Sequence, residues 1–175
     1  MIKTDYDEIV AMLALGQLDA LETAAVIVDD FPQGKDAFVQ RHWITNAIDL
    51  GCFAAVEWMI GKGVTLIFRD AEGYTPLHSC IEREKSDRYD MMAVLIKAGA
   101  DCNAHGINDW TPLHMAAVRD DRPAMKMLID AGADVSRRTR IDDYATPAEE
   151  ARALGHHASA DFIDKYAAGR YPFND

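Results

Sequence analysis

His78 and His114 are the residues of this chain whose type and setting first suggest chemistry. Each follows a threonine by three positions and a proline by two, and they stand 36 residues apart. Imidazoles titrate near neutral pH and serve as general bases, proton shuttles or metal ligands. Recurrence at a fixed interval along a chain is not recurrence in one pocket, so a structural role is predicted for both. His156 and His157 are adjacent and face different ways on a helix, with no carboxylate at ligand spacing. The cysteines, Cys52, Cys80 and Cys102, are odd in number and lack metal-ligand spacing. Cys80 and Cys102 take apolar places held elsewhere by Ala116 and Val135, and read as inert filler. Cys52 follows Gly51 at a turn, with no residue nearby to activate it. Glu149 and Glu150 stand near a helix start, where the dipole favours negative charge, and are not read as an acid/base pair. The sequence shows no Gly-rich phosphate loop and no Ser/His/Asp arrangement. A chain that is not an enzyme, and that uses neither cofactor nor metal, is predicted.

The elements that position these residues are repeats. Thr75-Pro76-Leu77-His78 recurs as Thr111-Pro112-Leu113-His114, and a partial copy follows at Thr146-Pro147-Ala148-Glu149. The first two copies close with matching phrases, LIKAGADCNA at 95–104 and LIDAGADVSR at 128–137. His42 to Ala47 holds the same place without the motif and runs on to Gly63, which stands for Gly99 and Gly132. A degenerate first unit begins near Asp7, so that starts at 7, 42, 75, 111 and 146 share one register.

Each unit makes physical sense as two short helices. Thr111 is a good N-cap, and Pro112 beside it has a preset torsion and no amide to leave unsatisfied. Leu113, Ala116 and Ala117 give the first helix an apolar stripe. A turn around Asp120, Asp121 and Arg122 leads to a second helix begun by Pro123 and ended by Gly132. Its Met125, Met127, Leu128 and Ile129 are expected to supply the main buried surface, as are Met92, Val94, Leu95 and Ile96 one unit earlier, and Val56, Trp58, Met59 and Ile60 before that. Neither helix is long enough to be stable alone, so stacking must bury the stripe. At the front Thr4 is expected to cap a helix running through Leu15. In the last unit Asp164 replaces Ile129 and Ile96, which lets that face be wetted. The charged stretch Glu82 to Arg88 reads as a solvated turn.

Apolar residues make up 49% of the chain and charged residues 27%, ordinary values for a folded protein. The net charge of -11 disfavours direct binding to nucleic acid or to an anionic membrane and suits a basic protein partner. Over half of that excess lies in residues 1–40, where Asp5, Asp7, Glu8, Asp19, Glu22, Asp29, Asp30 and Asp36 face only Lys3 and Lys35. The amino terminus lacks the pattern of a signal peptide, and apolar runs are too short to span a bilayer. A cytoplasmic protein with reduced thiols, monomeric when free, is expected.

These motifs resemble the ankyrin repeat family, whose signature is a Thr-Pro-Leu-His helix start, a Gly-His turn and a Gly-Ala-Asp close. The matching residues are Gly73, Thr75 to His78, Gly99 to Asp101, Thr111 to Ala117, Gly132 to Asp134, and Thr146, Pro147, Gly155 and His156. The resemblance implies an all-α solenoid of about five stacked helix–turn–helix units with short projecting loops. Its single domain would cover residues 1–170, with units at about 4–38, 39–71, 72–107, 108–142 and 143–168, then a tail at 171–175. In this family the histidine hydrogen-bonds the capping threonine. Two departures stand out: Asp109 replaces the turn glycine seen at Gly73, and Gly106 stands where Asp70 stands. The fifth unit has Ile141 and Tyr144 at those places, which predicts a loop of unusual shape around Arg137, Arg138 and Arg140.

The resemblance also implies protein binding through loop tips and the concave side. The tips carry Arg69, Glu72 and Tyr74, then His105, Asn108 and Trp110, then Asp142 and Asp143, while Glu82, Arg83 and Arg119 belong to the concave side. Aromatic and arginine side chains are frequent interface anchors. The favoured reading is an inhibitor of a basic partner, such as an immunity protein that neutralises a bacterial toxin or nuclease. The alternatives are a scaffold or adaptor that tethers a peptide or subunit, and an enzyme using a thiol or histidine.

Overall fold

In the computed structural model residues 2–141 and 144–169 are described; among them are ten α-helices and no strand beyond an isolated bridge between Lys35 and His42. The all-α fold class expected from the repeats is the one observed. The chain divides into two compact bodies, residues 1–100 and 101–175. In the first, α1 (Ile2–Leu15) pairs with α2 (Leu18–Ile27), α3 (Trp43–Leu50) with α4 (Phe53–Gly61), and α5 (Pro76–Glu82) with α6 (Arg88–Lys97). Leading helices stack on leading helices, α1 on α3 and α3 on α5, while α2 lies on α4 and α4 on α6. In the second body α7 (Pro112–Val118) pairs with α8 (Arg122–Asp130) and packs on α9 (Pro147–Ala153), which pairs with α10 (His157–Ala167). Among the described residues, no helix is long and apolar enough to cross a membrane.

The threonines cap as expected. Thr75, Thr111 and Thr146 accept from the backbone N–H three residues on. The Thr111 amide donates back to His114 Nδ1 at 3.1 Å, and His114 Nε2 reaches the Ala145 carbonyl at 3.0 Å. Nδ1 therefore accepts and Nε2 carries the proton, so the neutral ring satisfies both ends of the site. Glu149 takes the histidine's place in the last pair, accepting from the Thr146 amide at 2.8 Å. It is a capping residue rather than half of an acid/base pair. Thr4 differs from expectation. The helix starts at Ile2 and Thr4 lies inside it, because nothing at residues 2–4 breaks a helix.

Second helices bury a narrower stripe than expected. Val56, Met59, Met92, Leu95, Met125 and Leu128 are fully buried, whereas Trp58, Ile60, Val94, Ile96, Met127 and Ile129 are half-buried. The stretch from Glu82 to Arg88 departs further, since Arg83 keeps only 9% of its side chain exposed. Asp164 is exposed and pairs with Arg152.

Before α3 the chain makes a long loop, and its organiser is Asp36, which is fully buried. Its Oδ1 accepts from the amides of Phe38 at 3.0 Å, Val39 at 2.5 Å and Gln40 at 3.2 Å. Its Oδ2 accepts from the Arg41 amide at 3.0 Å and from Asn46 Nδ2 at 3.1 Å. Asp36→Ala would leave these donors unsatisfied, and is expected to cost roughly 3–4 kcal/mol of unfolding free energy in urea titration. Asp36→Asn, which keeps one acceptor oxygen, should cost about half as much.

Burial pushes the His114 pKa down to about 4. The unfolded imidazole takes a proton near pH 6.5, one the folded protein refuses until about pH 4. Its contribution is whole above the unfolded value and shrinks as pH falls toward 4, by ~3 kcal/mol in all. Unfolding free energies measured from pH 7 to 4.5 should therefore fall less steeply for His114→Asn than for wild type.

Candidate partner-binding face

In the first body a groove of about 310 Å³ opens beside α3 and α5, lined by Arg41, Asp49, Glu72, Tyr74, Glu82 and Arg83. It gathers four of the residues singled out by sequence: Glu72 and Glu82 are exposed, and Tyr74 and Arg83 half-buried. Arg83 holds the groove together from within. Its Nη1 donates to the Asp49 carbonyl at 2.5 Å and its Nη2 pairs with Asp87 at 3.0 Å. The guanidinium lies against Gly51, whose φ of 77° and missing Cβ leave the space it fills. Arg41 pairs with Asp49 at 2.6 Å on the same wall. Burial raises the Asp49 pKa, and Arg41 and Arg83 pull it back.

The hairpin tip before α5 is set by Asp70. Its amide donates to the Tyr74 carbonyl at 2.9 Å, and its Oδ1 accepts from the amides of Glu72 at 3.0 Å and Tyr74 at 2.7 Å. Arg69 is exposed at the start of this hairpin.

In the second body the first hairpin keeps the same backbone bonds despite its altered sequence. Gly106 N–H meets the Trp110 carbonyl at 2.6 Å, and Asp109 N–H meets the Gly106 carbonyl at 3.1 Å. Asn108 and Asp109 take the left-handed torsions, with φ of 53° and 56°. The carboxylate, lost at Gly106, reappears at Asp109 and chelates Arg140, whose Nε lies 3.0 Å from Oδ1. That pair holds the Asp109 pKa down. His105 belongs to this clasp: its Nδ1 donates to the Asp109 carbonyl at 2.7 Å, its Nε2 accepts from Arg137 at 3.1 Å, and its side chain is only 8% exposed. Asn108 and Arg119 are exposed and Trp110 is half-buried. Before α9 a backbone bond runs from Thr139 N–H to the Ala145 carbonyl at 3.0 Å, six residues on where the two earlier hairpins span four. Asp142, Asp143 and the tail at 171–175 lie outside the described residues.

Sequence reasoning passed over Arg41 and Asp49, and counted Asp36 only as one more acidic residue. A signal existed for the last. Asp36 and Asp70 precede the starts of α3 and α5 by similar intervals, 34 residues apart. The thiols offer no nucleophile at Cys80 or Cys102. Both are buried, burial pushes Cys80 up to about 12, and Cys102 is raised for the same reason. Among the described residues no three His, Cys, Asp or Glu side chains gather as a metal site.

A family model for ankyrin repeats (three copies) matches residues 44–139, more than half of the chain. Protein fem-1 homolog A of Danio rerio is 32% identical over 96 residues, covering 49% of this chain and 16% of that protein. Ankyrin repeat and SOCS box protein 6 of Mus musculus is 33% identical over 100 residues, covering 53% and 23%. RelA-associated inhibitor of Mus musculus is 37% identical over 79 residues, covering 45% and 9%. The chain thus spans less than a quarter of each of these relatives. The family is one of protein–protein interaction modules, generally without catalysis. This chain belongs to the ankyrin repeat family.

Proposed function

We propose that this protein binds a folded, basic protein through its groove and hairpin tips and inhibits it, as a toxin-neutralising immunity protein does. The observation that carries the reading is the groove that joins Glu72, Tyr74 and Glu82 on a frame held by Arg83. Its walls are fixed before a partner arrives, so little ordering entropy is lost on binding. Net charge supports a basic partner, with Asp7, Glu8, Asp19, Asp29 and Asp30 all exposed on the first body. The name RelA-associated inhibitor shows that one relative is known by an inhibitory role. The name of ankyrin repeat and SOCS box protein 6 favours a second reading, an adaptor that joins a bound protein to other components. Three free cysteines, two of them buried, suit a reducing compartment such as the cytoplasm.

Capture from cell extract on immobilised protein, followed by mixing with the captured species, separates the two readings. Inhibition predicts one basic enzyme whose activity falls on mixing; an adaptor predicts a partner whose activity is untouched. In the first body Tyr74→Ala, and in the second Trp110→Ala, should each weaken affinity about tenfold, ~1.4 kcal/mol, in calorimetry. Unchanged affinity for both would mean that the partner docks elsewhere. Raising salt from 0.01 M to 0.15 M shortens the Debye length from ~30 Å to ~8 Å, and association should slow accordingly. A salt-insensitive on-rate would remove charge from recognition.

A further inference from the structure

The first helix pair leaves an apolar face open. Between α1 and α2 runs a groove of about 250 Å³, with Ile9, Met12, Ala20, Ala24 and Ile27 in its lining. Ile9 and Ala24 form a buried floor, while Ile27 is 74% exposed and the adjacent Val26 85%. Thr23 on the same wall spends its hydroxyl on the Asp19 carbonyl at 3.1 Å. The end pair of a repeat stack needs a polar outer face to stay soluble. The last pair of the second body has exposed charge of this kind: Arg152 of α9 pairs with Asp161 at 3.7 Å and with Asp164, both on α10. The groove of α1 and α2 is built from apolar side chains instead, and an open apolar surface of this kind marks an interaction site.

Charge selects the occupant. Glu8 lines the groove from α1, Asp19 stands just before the α2 stripe, and Asp29 and Asp30 follow it; all four are exposed. Lys35 shares with Asp29 the hollow that continues past Ile27 and Val28, which leaves the acids in excess. A second copy packed face to face would set these acids against their own counterparts, and an anionic membrane would be repelled. We propose that the groove receives an amphipathic helix of a partner protein, apolar on one side and rich in lysine or arginine at its flanks. Ala20, Ala24 and Ile27 lie at i, i+4 and i+7, about 10 Å along α2, the spacing at which a partner helix presents its own anchors. At about 250 Å³ the groove is smaller than the ~300–1,000 Å³ of small-molecule pockets, so it takes side chains of a helix laid along it rather than a whole ligand. It shares no lining residue with the groove beside α3 and α5, so the inference goes beyond the function proposed above.

Calorimetry of the full chain with a leucine–lysine peptide of about 18 residues, its leucines at i, i+3, i+4 and i+7, tests this without a partner in hand. Saturable one-to-one binding is expected, with amide shifts in nuclear magnetic resonance centred on Ile9, Met12, Thr23, Ala24 and Ile27. A peptide of the same composition in shuffled order, and one with glutamate for every lysine, should each bind about tenfold more weakly. Ile27→Ser removes an exposed apolar side chain without adding charge, and should weaken the leucine–lysine peptide about fivefold. Glu8→Gln should weaken it about two- to threefold, and by less as salt rises. Both positions are exposed, so both variants should keep the spectral dispersion of the folded chain. Equal affinity for the shuffled peptide would reduce the attraction to charge alone and overturn the proposal. No binding, shifts centred on Glu72 and Glu82, or affinity unchanged in both variants would overturn it too. A free chain that sediments as a dimer, and turns monomeric on Ile27→Ser, would make a second copy the occupant and overturn it as well.

Discussion

Backbone amides in the loops between helix pairs must find acceptors, and the way they find them shapes both bodies. Helices of seven to ten residues dominate α2 to α9, and none is stable by itself. Each leading helix must therefore be started at a fixed point and angle so that its stripe meets its neighbour. Where the sequence supplies Thr-Pro-x-His, the hydroxyl and imidazole do this locally, as at Thr111 and His114. Where it does not, at α3, no side chain caps the start, and the buried carboxylate of Asp36 takes over by gathering the loop amides ahead of it. Asp70 does the same on a smaller scale before α5. An acceptor held in place of water can replace a missing motif.

That substitution explains what could be read from sequence and what could not. The helix starts at Pro76, Pro112 and Pro147, and the left-handed ends at Gly99 and Gly132 with φ of 93° and 91°, are set by neighbours in sequence, so they were legible. The structural role of His114 was legible from its recurrence at the repeat period, whereas its neutral state depends on burial and on the Ala145 carbonyl 31 residues away. Arg83 was not legible as a buried strut. Its acceptor is the Asp49 carbonyl 34 residues earlier, and its space exists only because Gly51 has no side chain. His105 likewise stood out as a loop-tip residue, yet both ring nitrogens are engaged, one by Asp109 and one by Arg137 in the following loop. Arg83 and His105, singled out by their place in the repeat, thus each have a tertiary partner about one repeat away. Glu72 and Glu82, singled out by position in the repeat, have exposed side chains that line the groove.

The same distinction governs how the net charge can act. Several carboxylates that enter the count of -11 are consumed inside the fold: Asp36 by loop amides, Asp109 by Arg140, Asp121 as the cap of α8, and Glu149 by Thr146 and Arg138. These do little to distinguish one partner from another at contact, since their hydrogen-bonding capacity is already used. Charges at the exposed rim steer encounter and are screened by salt. Specificity at contact has to come from acidic groups that are both positioned and incompletely satisfied, because only they gain a bond on binding that water did not already provide. Asp70 acts inside the fold as well, with one oxygen holding the hairpin and the other buried without a donor. On the proposed reading, contact with a partner falls instead to Glu72 and Glu82, whose side chains stand exposed at the groove.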